Sequence, residues 1–294
     1  MRAESQVIVP TETALYGHLH RLASTQRIIG VAGLPGTGKS LVIHQLAHLA
    51  AAQGREVWLL QWDVARPAFE ASPAGARYPV RDGVTHGVIR RAVGLWAREA
   101  VVHWHRAHPE SRHVLLSEAP FIGHRLIELA HPIDDAAEAL LSRETSCFVL
   151  PVPSRQVRRA IERRREERSL APVHPQEAED APPQVLRALW GELHRLAPRL
   201  GIETLGEAGA YDPEVYRKVY EAILRHRRCE VLAMETILPT GEMSPYTFAQ
   251  PRQDLVPSAA QAGVWIEAVG RRYPDLQTLE QDLEAWYEVA PRSD

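Results

Sequence analysis

An α/β fold built on a parallel sheet is predicted by two observations. Short β-branched apolar runs alternate with longer helical stretches, and one strand-to-helix junction carries Gly33-Leu-Pro-Gly-Thr-Gly-Lys39-Ser40. Such alternation implies parallel strands covered by helices on both faces, a three-layer sandwich whose ligands lie at the carboxyl ends of the strands. The strands expected are residues 28–32, 57–62, 113–117, 147–152 and 202–205, giving a five-stranded sheet.

The elements follow in order along the chain. Residues 11–24 read as a short helix ahead of the first strand. After the glycine-rich junction, residues 41–52 read as a helix stopped by Gly54. Residues 65–83, rich in Pro, Gly and Ala, are expected to be irregular, and 84–108 to form a long helix with Val88, Ala92, Leu95 and Trp96 on one face. Together, 65–108 is an insertion over the site with seven arginines against three acids from 66 to 108. The fourth strand leads into an arginine-rich helix at 156–169, within a lid-like segment 153–170, and then a proline-containing loop at 171–183. Asp212-Pro213 has the cap and first-turn chemistry of a helix that ends near His226. A boundary is placed near Arg228, so that 1–228 is one unit and 229–294 an acidic, mainly helical extension. This extension has a possible strand at 231–236, an irregular stretch to 256 and two helices. The stripe of Leu276, Leu279, Leu283, Trp286 and Tyr287 in the second helix is expected to dock on the core.

Composition narrows the class. The chain has 294 residues, 45% hydrophobic and 24% charged, which suits an ordinary globular protein with ample core. Its net charge of −3 divides into +4 for 1–228 and −7 for 229–294, where eleven acids face four arginines. No run approaches the roughly 18 apolar residues of a membrane span, and the first residues lack a signal-peptide core, so a cytoplasmic protein is expected. Cys147 and Cys229 form no metal or redox motif and are expected to be free thiols. The histidines, including His44 with His48 and the cluster His103, His105 and His108, have no completing ligand set.

The junction fits the phosphate-binding template GxxxxGK[ST]. Gly33, Gly36 and Gly38 permit backbone conformations that a β-carbon obstructs, so that in the loop Gly33, Leu34, Pro35, Gly36, Thr37 and Gly38 the N–H groups other than at Pro35 can turn toward a triphosphate beside a helix N-terminus. Lys39 supplies a compact charge for the β- and γ-phosphates, and the Ser40 hydroxyl can ligate magnesium. Of 34 basic residues only Lys39 and Lys218 are lysines, so a chain that favours arginine retains a point charge here.

Three further features fall after strands. Asp63 and Arg66 follow the second strand: Asp63 can accept the proton of an attacking hydroxyl and Arg66 can hold an anionic substrate group, or the two are a helix cap and a surface arginine. Glu118 follows the third strand, where it can hold magnesium or its water, or else cap a helix. In the arginine helix, Arg164 and Arg168 continue the stripe of Val157 and Ile161, and Arg159 and Arg163 form a neighbouring one. Such a helix either clamps a transferring phosphoryl group or presents a solvated face with charge pairs such as Arg158 with Glu162.

Through Gly33 to Ser40, Asp63 with Arg66, Glu118 and the arginine helix, residues 27–226 resemble the P-loop NTPases that act as small-molecule and nucleotide kinases. That group includes nucleoside monophosphate, adenylylsulfate, gluconate, shikimate and zeta-toxin-like kinases. The resemblance implies a five-stranded parallel sheet, ATP with Mg2+, and transfer of the γ-phosphoryl group to a small acceptor beneath insertion and lid. The catalytic residues would be Lys39, Asp63, Arg159 and Arg163, with Arg164 and Arg168 on the nucleotide, Ser40 and Glu118 on the metal, and Asp63 and Arg66 on the acceptor. The basic insertion points to an anionic acceptor. Two other readings stay open: a regulatory NTPase whose nucleotide state governs a protein partner, and an RNA-directed kinase, which the acidic sign of 229–294 opposes.

Overall fold

The computed structural model describes residues 7–81, 83–171, 182–204, 209–238, 252–273 and 275–289. Helix α1 (Ala14–Thr25), capped by Thr13, precedes strand β1 (Ile28–Ala32). Helix α2 (Lys39–Ala52) follows directly from the glycine loop, then β2 (Glu56–Gln61) and α3 (Trp62–Glu70). Next come α4 (Gly87–Ala107), β3 (His113–Ala119), the single-turn α5 (Glu138–Leu141) and β4 (Ser146–Pro153). The arginine-rich α6 (Arg155–Leu170) is followed by α7 (Pro183–Leu196) and α8 (Pro213–Ile223), the last capped by Asp212. Strands β5 (Cys229–Met234) and β6 (Arg252–Asp254) and helices α9 (Ala259–Arg272) and α10 (Leu276–Glu284) complete the chain.

All six strands are parallel, in the order β5-β4-β1-β3-β2-β6. Alternate residues of each inner strand enter separate cores. Ile29, Val31, Val57, Leu59, Val114, Leu116, Cys147 and Val149 pack with α1 and α2 on one face. Ile28, Ala32, Leu60, Leu115, Phe148 and Leu150 pack with α3, α4, α7, α8, α9 and α10 on the other. Because both faces are covered, the inner strands read as continuous apolar runs rather than alternating ones.

Several expectations are corrected. The sheet has six strands, not five, and residues 202–204 are irregular, with Leu205 outside the described residues. The fifth strand is β5, which answers to the possible strand expected at 231–236 but starts two residues earlier and joins the sheet as an edge strand paired only with β4. The sixth, β6, is Arg-Gln-Asp, which joins β2 through the backbone and has no strand-like composition. The segment beyond Arg228 therefore supplies both edges of the sheet. Trp62 begins a helix instead of ending a strand, and that helix runs to Glu70 through Pro67, within a stretch expected to be irregular. In the C-terminal stripe, Leu279, Leu283 and Trp286 are buried, whereas Leu276 is exposed.

Both thiols are free, and burial pushes that of Cys147 up to about 12. His44 is fully buried with its ring against His48, and burial holds its pKa down at about 3. No helix among the described residues is long and apolar enough to cross a membrane.

Two glycines in helices carry opposite expectations. At Gly17 in α1 a β-carbon would meet nothing within 4 Å, so Gly17→Ala gains helix propensity of about 0.5–1 kcal/mol. At Gly94 in α4 the β-carbon would lie 1.7 Å from the buried Glu128 carboxylate, so Gly94→Ala is expected to cost about 2 kcal/mol or more despite the same propensity gain. Thermal unfolding reads both: the midpoint rises for the first and falls for the second.

Candidate functional site

The order of the strands creates the site. The connection leaving β1 runs to one side of the sheet and that leaving β3 to the other, so a crevice opens at the carboxyl ends of this adjacent pair. The register pairs Val31 with Glu118 and Gln61 with Glu118, placing this carboxylate between the ends of β1 and β2. Gln61 donates from Nε2 to one Glu118 oxygen at 3.1 Å, and Lys39 Nζ lies 3.6 Å from the other.

Residues 33–40 form a tight turn from β1 into α2. Gly33, Gly36 and Gly38 have φ of 140°, 77° and 90°. At Gly33 the requirement is steric as well, since a β-carbon would meet the Tyr216 hydroxyl at 2.2 Å. Leu34 is fully buried, and its carbonyl accepts from Thr37 Oγ1 at 2.8 Å and from Lys39 Nζ at 3.1 Å. The Pro35 carbonyl accepts from Arg158 Nη1 at 2.8 Å. Ser40 is exposed in the first turn of α2.

Lys39 is only 5% exposed. Burial lowers its pKa and Arg165 adds to this, while Glu118 and Asp63 oppose it. An ammonium has three donors, and here it makes one hydrogen bond and one longer ion pair among the described residues, so donor capacity is left for an incoming anion.

Asp63 lies in the first turn of α3, and Pro67 four residues on withdraws the backbone donor that its carbonyl would otherwise meet. Its side chain is exposed. Partial desolvation by the surrounding protein raises its pKa, as does neighbouring Glu118, while Arg125, Arg66 and Lys39 pull it down. Arg66 turns back along α3 to Glu70, bonding both carboxylate oxygens at 3.1 and 2.9 Å.

The arginine helix is divided. Val157 is buried and Ile161 half-buried against the α1–α2 core, which seats the helix. Arg159 and Arg163 are exposed, and Arg164 and Arg168 are half-buried and engaged with other groups. The residues that meet the glycine loop are others. Arg158 is 1% exposed, bonds Pro35, pairs with Glu162 at 2.7 Å and lies over the Tyr211 ring, while Arg165 acts on Lys39. The structure thus brings Lys39, Asp63 and Glu118 together, with Ser40 at the adjoining helix start, and leaves Arg159 and Arg163 outward.

Sequence reasoning missed Arg125. It lies in the turn after β3, and its signal was available: a Pro120 to Gly123 bend immediately beyond Glu118, at a strand end where function is expected. The segment behind it is held by buried charge. Glu128 is fully buried with His124 Nε2 at 2.7 Å and Arg91 at 3.1 Å on one oxygen. Burial alone would raise this carboxyl, but His124 and Arg91 outweigh it and hold the pKa at about 2. Arg98 donates to the carbonyls of Glu128, His131 and Ile133, and Arg227 to those of Leu129 and His131.

Among the described residues no group of three or more His, Cys, Asp or Glu is arranged to hold a metal. Magnesium does not require one, because it is usually held by one or two carboxylates together with substrate phosphates. The Ser40 hydroxyl and the Glu118 carboxylate are hard-oxygen donors of the type magnesium takes.

No family model matches the chain, and no curated protein or solved structure matches it.

Two outcomes follow from this geometry. Arg158→Ala strips the half-buried Pro35 carbonyl of its charged donor and is expected to cost about 1–3 kcal/mol, with faster amide hydrogen exchange in residues 34–38 as the local readout. The depressed Glu128 carboxyl stabilises the fold above its unfolded pKa and loses that contribution as pH falls through its folded value. The stability deficit of Glu128→Gln relative to wild type, measured by urea denaturation, is therefore expected to be full at neutral pH and to shrink between about pH 4.5 and pH 2.

Proposed function

We propose that this chain is a P-loop kinase: it binds a nucleoside triphosphate in the loop Gly33–Ser40 and transfers the terminal phosphoryl group to a small acceptor lying against Asp63. The observation that carries the reading is the buried ammonium of Lys39, placed between Glu118 and the glycine loop with donors to spare. The adjacency of β1 and β3 and the opposite exits of their connections support it, since that crevice is the expected ligand position.

Lys39 would exchange its Leu34 carbonyl for phosphate oxygens, which is favourable because a charged acceptor makes a stronger bond than a neutral one. The backbone amides of the loop and the start of α2 would orient the β- and γ-phosphates. Ser40 and Glu118 would hold magnesium, which when bound supplies charge neutralisation across those oxygens. Gln61 holds Glu118 in position through its second oxygen. Asp63 would accept the proton of the acceptor hydroxyl as its oxygen bonds to the γ-phosphorus and the bond to the β-phosphate oxygen breaks. Its raised pKa suits a base working nearer to neutral pH than an ordinary aspartate. Arg165, whose charge acts on Lys39, would stabilise charge on the transferring group.

The test is transfer of radiolabelled γ-phosphoryl from Mg-ATP into small molecules of a metabolite extract. Wild type is expected to yield a labelled product, and Asp63→Asn to slow its formation by about 10²–10⁴-fold while nucleotide affinity stays within about twofold. Lys39→Met is expected to weaken nucleotide binding by about tenfold or more. An extract that gives no labelled product with wild type contradicts phosphoryl transfer.

A further inference from the structure

A cavity of about 500 Å³ lies at the junction of α4, α7 and α10, and neither Lys39 nor Asp63 lines it. Its walls are fixed. At one end α10 docks on the start of α4, where a β-carbon at Gly87 would lie 2.5 Å from Leu283. At the other, His131 Nε2 meets the Trp286 carbonyl at 3.0 Å and Arg225 donates to the Val289 carbonyl. The third side is the turn after β3, where Phe121, His124 and Leu126 have φ of 62°, 60° and 60°. Residues held in this region persist only where their surroundings over-determine them. Here Arg90 donates to the Gly123 carbonyl at 3.0 Å, Tyr220 donates to the Pro120 carbonyl at 2.9 Å, and His124 is locked on Glu128.

Arg90, Arg195 and Arg199 line the cavity with Glu192, Glu280 and Glu284, so its charge sums to zero, yet none of the six forms an ion pair among the described residues. This matters most for the two that are half-buried. Glu192 takes no hydrogen bond among the described residues, and burial raises its pKa while Arg195, Arg125 and Arg90 pull it down. Arg90 gives one nitrogen to Gly123, and its Nε is buried without a hydrogen-bond partner. A carboxylate and a guanidinium edge withdrawn from water and left unmatched cost free energy that a bound group of opposite sign recovers. Apolar surface is supplied by Leu196, Leu283 and Tyr287, whose hydroxyl accepts from Arg199 at 3.2 Å. Volume, apolar wall and a few convergent polar groups are the attributes of a small-molecule site.

We propose that this cavity is a separate ligand site for a small zwitterion with an apolar body, a free α-amino acid: its ammonium on Glu192, its carboxylate on Arg90 and Arg195, and its side chain against Leu196, Leu283 and Tyr287. A simple anion satisfies the arginines and leaves the glutamates unmatched, and a simple cation does the reverse. Only a ligand that carries both signs close together answers both. The guanidinium fork suits a carboxylate, and an ammonium brings donors that Glu192 lacks. Glu280 and Glu284, exposed on α10, add negative charge on the ammonium side of the balance. The site stands apart from the phosphoryl-transfer reading, because it uses none of the residues assigned to that reaction. It also makes the segment beyond Arg228, which supplies α10 and Tyr287, part of a binding site as well as the source of both sheet edges.

The experiment titrates phenylalanine and leucine by NMR into the full chain, each beside its deaminated acid, which lacks the ammonium, and its amide, which lacks the carboxylate. At least one of the two amino acids is expected to bind saturably to wild type, with its acid and its amide about tenfold or more weaker. Glu192→Gln is expected to weaken that amino acid by about tenfold or more, with Arg77→Gln, an exposed arginine on another surface, unchanged. If Glu192→Gln lowers the unfolding midpoint, Glu192→Asp carries the comparison, and it is expected to weaken binding by about threefold or more because it keeps the charge and draws it back by one methylene. Neither amino acid binding, an acid or amide binding as tightly as its parent, or binding that the Glu192 variants leave unchanged overturns this inference. Each of these outcomes leaves the phosphoryl-transfer reading to its own test.

Discussion

The buried ammonium of Lys39 sets the terms for everything around it. A lysine charge removed from water costs several kcal/mol unless it is compensated, and here compensation comes from the Leu34 carbonyl and from Glu118 at the end of the neighbouring strand. That arrangement requires β1 and β3 to be adjacent and in the register that pairs Val31 with Glu118. It also requires a loop that folds back on itself, with Leu34 buried in the core and Thr37 bonded to its carbonyl. Arg158 then closes the other side of the loop through Pro35. The sheet, the loop and the arginine helix are each shaped to keep one cation buried, partly satisfied and reachable.

The opposite wall is built differently. Between β3 and α5 the only regular element among the described residues is a single 3-10 turn at Ile127–Leu129, and buried arginines take the place of backbone ladders. Arg98 and Arg227 accumulate carbonyl partners along 128–133, and both reach Glu138. Arg91 and His124 converge on Glu128, which abuts Gly94 so closely that no side chain fits there. Removing one partner of such a network leaves a charge buried and unpaired, which is why its members hold the strained turn at 121–126 in a single shape. The two walls meet at Asp63, whose carboxyl responds to Lys39 and Glu118 from one and to Arg125 from the other.

The inner sheet was legible from sequence because strands buried on both faces read as continuous apolar runs, and the glycine template marked the junction of β1 with α2. Lys39, Asp63 and Glu118 were legible as candidates by position, Lys39 from the glycine template, Asp63 from lying just beyond β2 and Glu118 from the end of β3. What escaped was specified by backbone pairing or by three-dimensional charge contacts. The strand Arg252–Asp254 has no apolar pattern, the strand expected at 231–236 gave no sign that it would pair with β4, and residues 202–204 have strand-like composition but form no strand. In the arginine helix the composition could not say which face turns inward, because six arginines occupy every side. The arginine that proved to meet the loop is Arg158, bonded to the Pro35 carbonyl. Arg125 escaped because an irregular turn has no periodicity to read.

The most direct test of a reachable, anion-seeking Lys39 is a crystal structure with Mg2+ and a non-hydrolysable ATP analogue. The expected result is a γ-phosphate cradled by the amides of residues 34–40, with Lys39 Nζ moved from the Leu34 carbonyl onto phosphate oxygens and Asp63 facing the open side of the γ-phosphorus. A nucleotide bound elsewhere, or a Lys39 that stays on Leu34 and Glu118 with the analogue present, would contradict it.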